Sequence, residues 1–203
     1  MMIDGFIRHL GKTEDRAQTY VQIVDAAEKF WGSGANKEKL DAVRKVVQDP
    51  DNRWMKFINK VVDEANPKFA RVLLLNLGYE AFFRGTKMIR ANREKYNCNI
   101  PWLILFDPTM ACNMHCVGCW SGTYGHKANL TFEEMDKIVT EGKELGVYLY
   151  MMTGGEPMVR KADILKLCEK HHDCFFAAYS NSTLIDEDLC QKMPVAGTVT
   201  MQP

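Results

Sequence analysis

Apolar residues recur at intervals of three and four through the first half of the chain, and each run reads as an amphipathic helix. Ala17, Tyr20, Val21, Val24, Ala27 and Trp31 mark one. Leu40, Val43, Val46 and Val47 mark a second, and Trp54, Phe57, Ile58, Val61, Val62 and Ala65 a third. Pro67 suits the first turn of a fourth, which Phe69, Val72, Leu73, Tyr79, Phe82 and Phe83 continue. Gly78 and Gly85 are where that helix is expected to break or end. The aromatic residues of these stripes are expected in a core.

Near residues 97–101 the period changes. Short apolar runs follow at 102–106, 147–152, 174–179 and 197–201, separated by segments long enough for helices. Thr131 with Glu134 forms a capping box that opens a helix over 132–145. Residues 162–171 and 186–193 predict two more. Strand alternating with helix implies an α/β fold with parallel strands and right-handed crossovers, in which ligands sit at the C-terminal ends of strands. The loops after Phe106, Met152 and Tyr179 are therefore the places to look for chemistry.

With 203 residues, 46% of them apolar and 26% charged, the chain can bury a proper core. Basic and acidic side chains balance at 26 each, so net charge gives no sign of a nucleic-acid partner. Residues 1–97 carry 18 basic and 13 acidic side chains and residues 98–203 carry 8 and 13, which supports a boundary between a helical region 1–97 and a second region 98–203. Arg84, Lys87, Arg90, Arg93 and Lys95 read as a solvated helix face. No apolar run reaches the roughly 18 to 20 residues of a membrane helix, and Asp4, Arg8 and His9 interrupt the N-terminus where a secretory signal would be apolar, so a cytoplasmic protein without membrane contact is expected.

Seven cysteines are an odd number, and three of them are grouped: Cys112, Cys116 and Cys119. That grouping points to metal or redox chemistry rather than disulfides. Three thiolates spaced by three and then two residues can wrap one face of an iron–sulfur cube and leave the fourth iron open to a ligand. A closed zinc site would need a fourth ligand from Cys98, His115 or His126. An electron-transfer cluster, or three merely structural cysteines, are the other readings.

After the second strand stands Gly154-Gly155-Glu156-Pro157. The cysteine triplet after one strand and this turn after the next resemble the radical S-adenosylmethionine (SAM) superfamily, over residues 101–193. The resemblance implies an incomplete parallel (β/α) partial TIM-type barrel following the helical region. It implies a [4Fe-4S] cluster on Cys112, Cys116 and Cys119, with the amino and carboxylate groups of SAM on the open iron. Reductive cleavage of SAM would then yield methionine and a 5′-deoxyadenosyl radical that abstracts hydrogen from an unactivated carbon. Gly154 and Gly155 would let the backbone approach SAM, Glu156 would accept a hydrogen bond from its ammonium group, and Pro157 would stiffen the exit. Ser180 and Asn181, at the third strand end, are further candidates for the SAM site. No catalytic residue is assigned beyond the cluster ligands, because the cofactors carry the hard chemistry.

The same resemblance implies a reductant such as a flavodoxin or ferredoxin, and a peptide or small-molecule substrate. Cys98, Cys168, Cys174 and Cys190 show no second cluster spacing. His171-His172 is expected to end a helix, and His126 to face solvent or a substrate cavity. Two features depart from the family pattern. Gly118 stands where an aromatic residue often precedes the third cysteine, with Trp120 just beyond it. Residues 198–203, in and just past the fourth strand, lack the polar or acidic strand end that would approach the ribose, and the later strands are missing, so a fragment of a longer protein is expected, ahead of a shortened pseudo-enzyme or a chain completed by a partner. The alternative function is a non-catalytic iron–sulfur or zinc scaffold.

Overall fold

A computed structural model describes residues 15–31, 37–64, 67–121, 128–196 and 198–201, the last stretch and a few helix positions by backbone only. His126 and the side chains of Ala27, Trp31, Ala65 and residues 198–203 lie outside the described residues. The chain divides into two compact units, 1–71 and 72–203.

In the first unit, α1 (Arg16–Trp31), α2 (Lys37–Gln48) and α3 (Arg53–Glu64) fall where the apolar periodicity places them. Tyr20 and Met55 form a small core, joined by Val47 and Val62. Arg16 holds Asp63 through two hydrogen bonds, and Arg44 bridges Asp25, Glu28 and Asp41. The aromatic stripe of α3 does not enter this core: Trp54 is 61% exposed and Phe57 60%. Met55 takes the buried position beside them, so spacing identified the helix but not which stripe it buries.

The predicted fourth helix runs further than its glycines suggest. A short α4 (Pro67–Val72) passes into a π-helical segment, α5 (Leu73–Gly85), and on into α6 (Thr86–Tyr96). Gly85 keeps right-handed helical angles, and the helix ends at Asn97 in the left-handed conformation. The reason for glycine at 85 is contact: a Cβ there would lie 2.5 Å from the Gly146 carbonyl oxygen. Ala81 and Ile89 enter the main core of the second unit, and the Asn76 amide donates to the carbonyls of His172 and Cys174. Residues 72–96 therefore pack with the sheet, although their charge resembles that of the chain before them. Of the basic cluster, Arg84 pairs with Glu80 and lies over the Tyr148 ring, and Arg93 donates to the Ile100 carbonyl.

Four strands, β1 (Leu103–Thr109), β2 (Leu149–Gly154), β3 (Phe175–Tyr179) and β4 (Thr198–Met201), form one parallel sheet in sequential order. Between them lie α7 (Phe132–Leu145), α8 (Lys161–Lys170) and α9 (Glu187–Ala196). Sequential parallel strands joined through helices match a segment of a β/α barrel. The capping box forms as predicted: the Glu134 amide donates to Thr131 Oγ1 and the Thr131 amide to the Glu134 carboxylate. Phe106, Tyr150, Met152, Phe176 and Ala178 fill the buried face. There the Tyr150 hydroxyl donates to the carbonyls of Val139 and Val147. The opposite face is more open, with Leu105 52% exposed. No described helix is long and apolar enough to cross a membrane.

Candidate functional site

All the sequence-predicted site residues stand at one edge of the sheet, because parallel strands bring their C-terminal ends together. The end of β2 is pinned to the loop after β1. Gly155 donates its amide to the Thr109 carbonyl at 2.9 Å, and Glu156 donates to the Ala111 carbonyl at 2.8 Å. Gly154 has φ +101°, in the left-handed region. A Cβ on Gly155 would sit 2.2 Å from the Ala111 oxygen, so only glycine allows this approach.

The cysteine loop leaves the sheet at this point. Cys112 is half-buried, and Cys116 and Cys119 are exposed; none is in a disulfide. The Met114 amide donates to Cys112 Sγ at 3.4 Å, and the Cys119 amide to the Cys116 carbonyl at 3.3 Å. Gly118 has φ +79° with nothing within 4 Å of a Cβ built on it. Glycine is thus favoured at 118 by the turn between two cysteines, and the missing aromatic residue follows from that backbone conformation.

Sequence reasoning missed Asn113, directly after the first cysteine. Its side-chain amide donates to Thr183 Oγ1 at 2.7 Å. Its carbonyl oxygen accepts from Asn181 Nδ2 at 3.0 Å, and Thr183 Oγ1 in turn donates to Asn181 Oδ1 at 2.7 Å. Three side chains close a hydrogen-bonded ring between the cysteine loop and the loop after β3. The available signal was a polar residue adjoining a cysteine, which by itself does not name a partner some 70 residues away.

Glu156 ties the loop after β2 into the same assembly. Its side chain is almost wholly buried, and its carboxylate accepts three hydrogen bonds. Oε1 receives the Met158 amide at 2.9 Å and the Ser180 hydroxyl at 2.7 Å. Oε2 receives the Asn181 amide at 2.7 Å. A buried carboxylate needs such donors. Pro157 opens the short 3-10 helix Pro157–Arg160 that Glu156 caps, and Ser180 is itself buried and accepts from the Ser182 amide. Ser180 and Asn181 therefore hold Glu156 through a hydroxyl and a backbone amide, while the Asn181 side chain reaches the cysteine loop.

Among the described residues, no group of three His, Cys, Asp or Glu side chains stands ready to hold a single ion. A cube takes one thiolate per iron, so its ligands need not converge on one point. Three uncrosslinked soft thiols on one loop, one already receiving an N–H···S hydrogen bond, are the donor set such a cluster takes. At Gly154 and Gly155 a Cβ would meet the protein's own backbone, so these glycines serve the close approach of the β2 end to the loop after β1. The three cysteines fit the cluster by their chemistry.

Residues 107–202 match the Radical SAM superfamily model. Over 103 residues the chain is 27% identical to an AdoMet-dependent heme synthase of Methanosarcina barkeri, covering 49% of this chain and 29% of that protein. It is 36% identical over 81 residues to a GTP 3′,8-cyclase of Desulforamulus reducens, covering 38% and 24%. A GTP 3′,8-cyclase of Alkaliphilus metalliredigens is 43% identical over 60 residues, covering 28% and 19%. The chain spans about a quarter of the length of the curated relatives it matches. No solved structure matches it significantly. Both the cysteine triplet and the Gly-Gly-Glu-Pro turn lie inside the matched residues, so it is over these two motifs that the chain is similar to the radical SAM superfamily.

Proposed function

We propose that the chain carries the cofactor-binding part of a radical SAM enzyme, with Cys112, Cys116 and Cys119 as ligands of a [4Fe-4S] cluster. When bound, the cluster and SAM supply reductive cleavage of the sulfonium and the hydrogen abstraction that follows. Gly154 and Gly155 present backbone rather than side chains to SAM. Glu156 acts from beneath: its three hydrogen bonds fix the loops after β2 and β3 relative to each other. Asn113 carries that order into the cysteine loop through Asn181 and Thr183. Pro157 and Ser180 complete the support. In this reading no side chain of the chain moves a proton in the cleavage step, and the residues bind, orient and hold.

The observation that supports this most is the joining of the cysteine loop to the two neighbouring strand ends by Asn113 and Glu156. A cluster ligand set on a loop tied to the SAM-facing turns is pre-organised for both cofactors. The relatives named for GTP 3′,8-cyclisation and for heme synthesis differ in product. What the shared segment carries is thus the cofactor chemistry they have in common, and that likeness does not choose between a peptide and a small-molecule substrate. A flavodoxin- or ferredoxin-type reductant would supply the electron.

The test is anaerobic reconstitution with iron and sulfide, reduction, and electron paramagnetic resonance with and without SAM. The expected result is about four irons per chain and a signal that changes when SAM is added. One zinc with no acid-labile sulfide would overturn the proposal in favour of a zinc scaffold. A cluster signal indifferent to SAM would overturn the SAM site while leaving the cluster.

A further inference from the structure

The C-terminal end of β1 carries a charged side chain that the hydrogen-bond network does not use. Phe106 pairs with Met152 and Thr109 with Gly154, so three steps along β1 match two along β2 and the strand bulges at Asp107 and Pro108. Bulges beside binding sites re-aim side chains. Phe106 and Pro108 are buried, whereas Asp107 keeps partial exposure and lies on the side of Leu105, the open face of the sheet. Gly154 makes room for it: a Cβ there would come 3.0 Å from Asp107 Cβ and 3.3 Å from its Cγ.

Asp107 Oδ1 is nevertheless buried and has no hydrogen-bond partner among the described residues. Desolvation raises the carboxyl's pKa above the ordinary aspartate value. A native fold seldom leaves such an oxygen unpaired, because the lost hydration is not replaced. Glu156, the other carboxylate beside Gly154 and Gly155, shows the contrast, with three protein donors.

We infer that Asp107 is a ligand-binding carboxylate, its Oδ1 left unpaired by the described residues to accept a hydrogen bond from an N–H or O–H group of a small molecule bound over the open face of the strand ends. The donor is a hydroxyl or ammonium group of SAM, or a hydroxyl or amine of the substrate. The inference rests on the proposed function only for that choice. Gly154 has a second role in this arrangement: it opens the space in which the carboxyl stands.

The experiment compares the full chain with its Asp107→Asn and Asp107→Leu variants. The cluster-free proteins are melted, and SAM is titrated calorimetrically into the anaerobically reconstituted ones. Both variants should melt about 2 to 4 °C above the parent, since an uncompensated buried charge is removed. If the donor belongs to SAM, its affinity falls by about ten- to a hundred-fold in the Asn variant. Higher melting with unchanged SAM affinity assigns the donor to the substrate. Unchanged or lower melting in both variants overturns the inference, because the carboxylate would then have a protein partner. If the parent itself fails to bind SAM, the proposed function falls, while the melting comparison still decides whether Asp107 is held unpaired.

Discussion

Ser180 donates its hydroxyl to Glu156 Oε1 at 2.7 Å, across 24 residues of sequence and between the ends of two neighbouring parallel strands. The same carboxylate receives the Asn181 amide from the adjoining residue. One buried side chain thus sets the position of the loop after β3 against the loop after β2. The Gly-Gly-Glu-Pro turn consequently does two separate things: its glycines let the β2 end approach the Thr109 and Ala111 carbonyls, and its glutamate gives rigidity.

Replacing Glu156 should therefore cost stability before it costs chemistry. Glu156→Ala strands three donors, and a loss of about 2 to 3 kcal/mol is expected, seen as a melting point lower by about 5 to 10 °C in the cluster-free chain. Ser180→Ala removes one of the three bonds and should cost less than half as much. Differential scanning calorimetry of the two variants checks this, and an unchanged melting point for Glu156→Ala would mean that the carboxylate is not a structural anchor.

Gly155 and Gly118 predict opposite kinds of damage. Gly155→Ala drives a methyl group into the Ala111 carbonyl, so the strand end must separate from the cysteine loop. Reconstituted iron content and SAM binding should both fall sharply. Gly118→Ala meets open space and suffers only from its positive φ, at about 1 kcal/mol. Its iron content after reconstitution should stay within about twofold of the parent, by the same estimate. Iron assays on the two variants side by side test the distinction.

Cys116 and Cys190 are both exposed cysteines, yet only the first belongs to the triplet. Cys116→Ala should abolish a stable four-iron cluster, with loss of its visible absorbance, whereas Cys190→Ala should reconstitute as the parent does. A full cluster that still cleaves SAM in the Cys116 variant would remove that residue from the ligand set.

Asp136 supplies a pH-dependent contribution away from the site. The Lys170 ammonium and the His171 ring hold its carboxyl below the ordinary aspartate value. A lowered folded-state pKa adds stability that is fully present above the unfolded value near 3.8 and is lost as pH falls through the folded value. Asp136→Asn should therefore melt below the parent at neutral pH, by a margin on the order of 1 kcal/mol for a partly exposed pair. The two curves should converge as pH drops below the carboxylate range. Melting points measured from neutral to acid pH check the sign.

Local signals in the chain were enough for much of this architecture. The strand runs, the capping box at Thr131 and Glu134, and the cysteine and glycine motifs at consecutive strand ends all act over a few residues, where hydrogen-bond geometry and side-chain periodicity are set by neighbours in sequence. Parallel pairing then necessarily gathers the strand ends on one edge. Tertiary structure decided what those signals could not. It turned Glu156 inward to three donors, joined Asn113 to residues 68 and 70 positions away, left Trp54 and Phe57 outside the local core, and packed residues 72–96 with the sheet. It also made the bulge at Asp107, whose Oδ1 has no partner among the described residues. Each of these depends on strand register and on which residues far apart in sequence meet when the chain packs. A side chain's chemistry is written in its identity, but whether that chemistry is spent on the fold or kept for a ligand is decided by the donors that packing brings within reach.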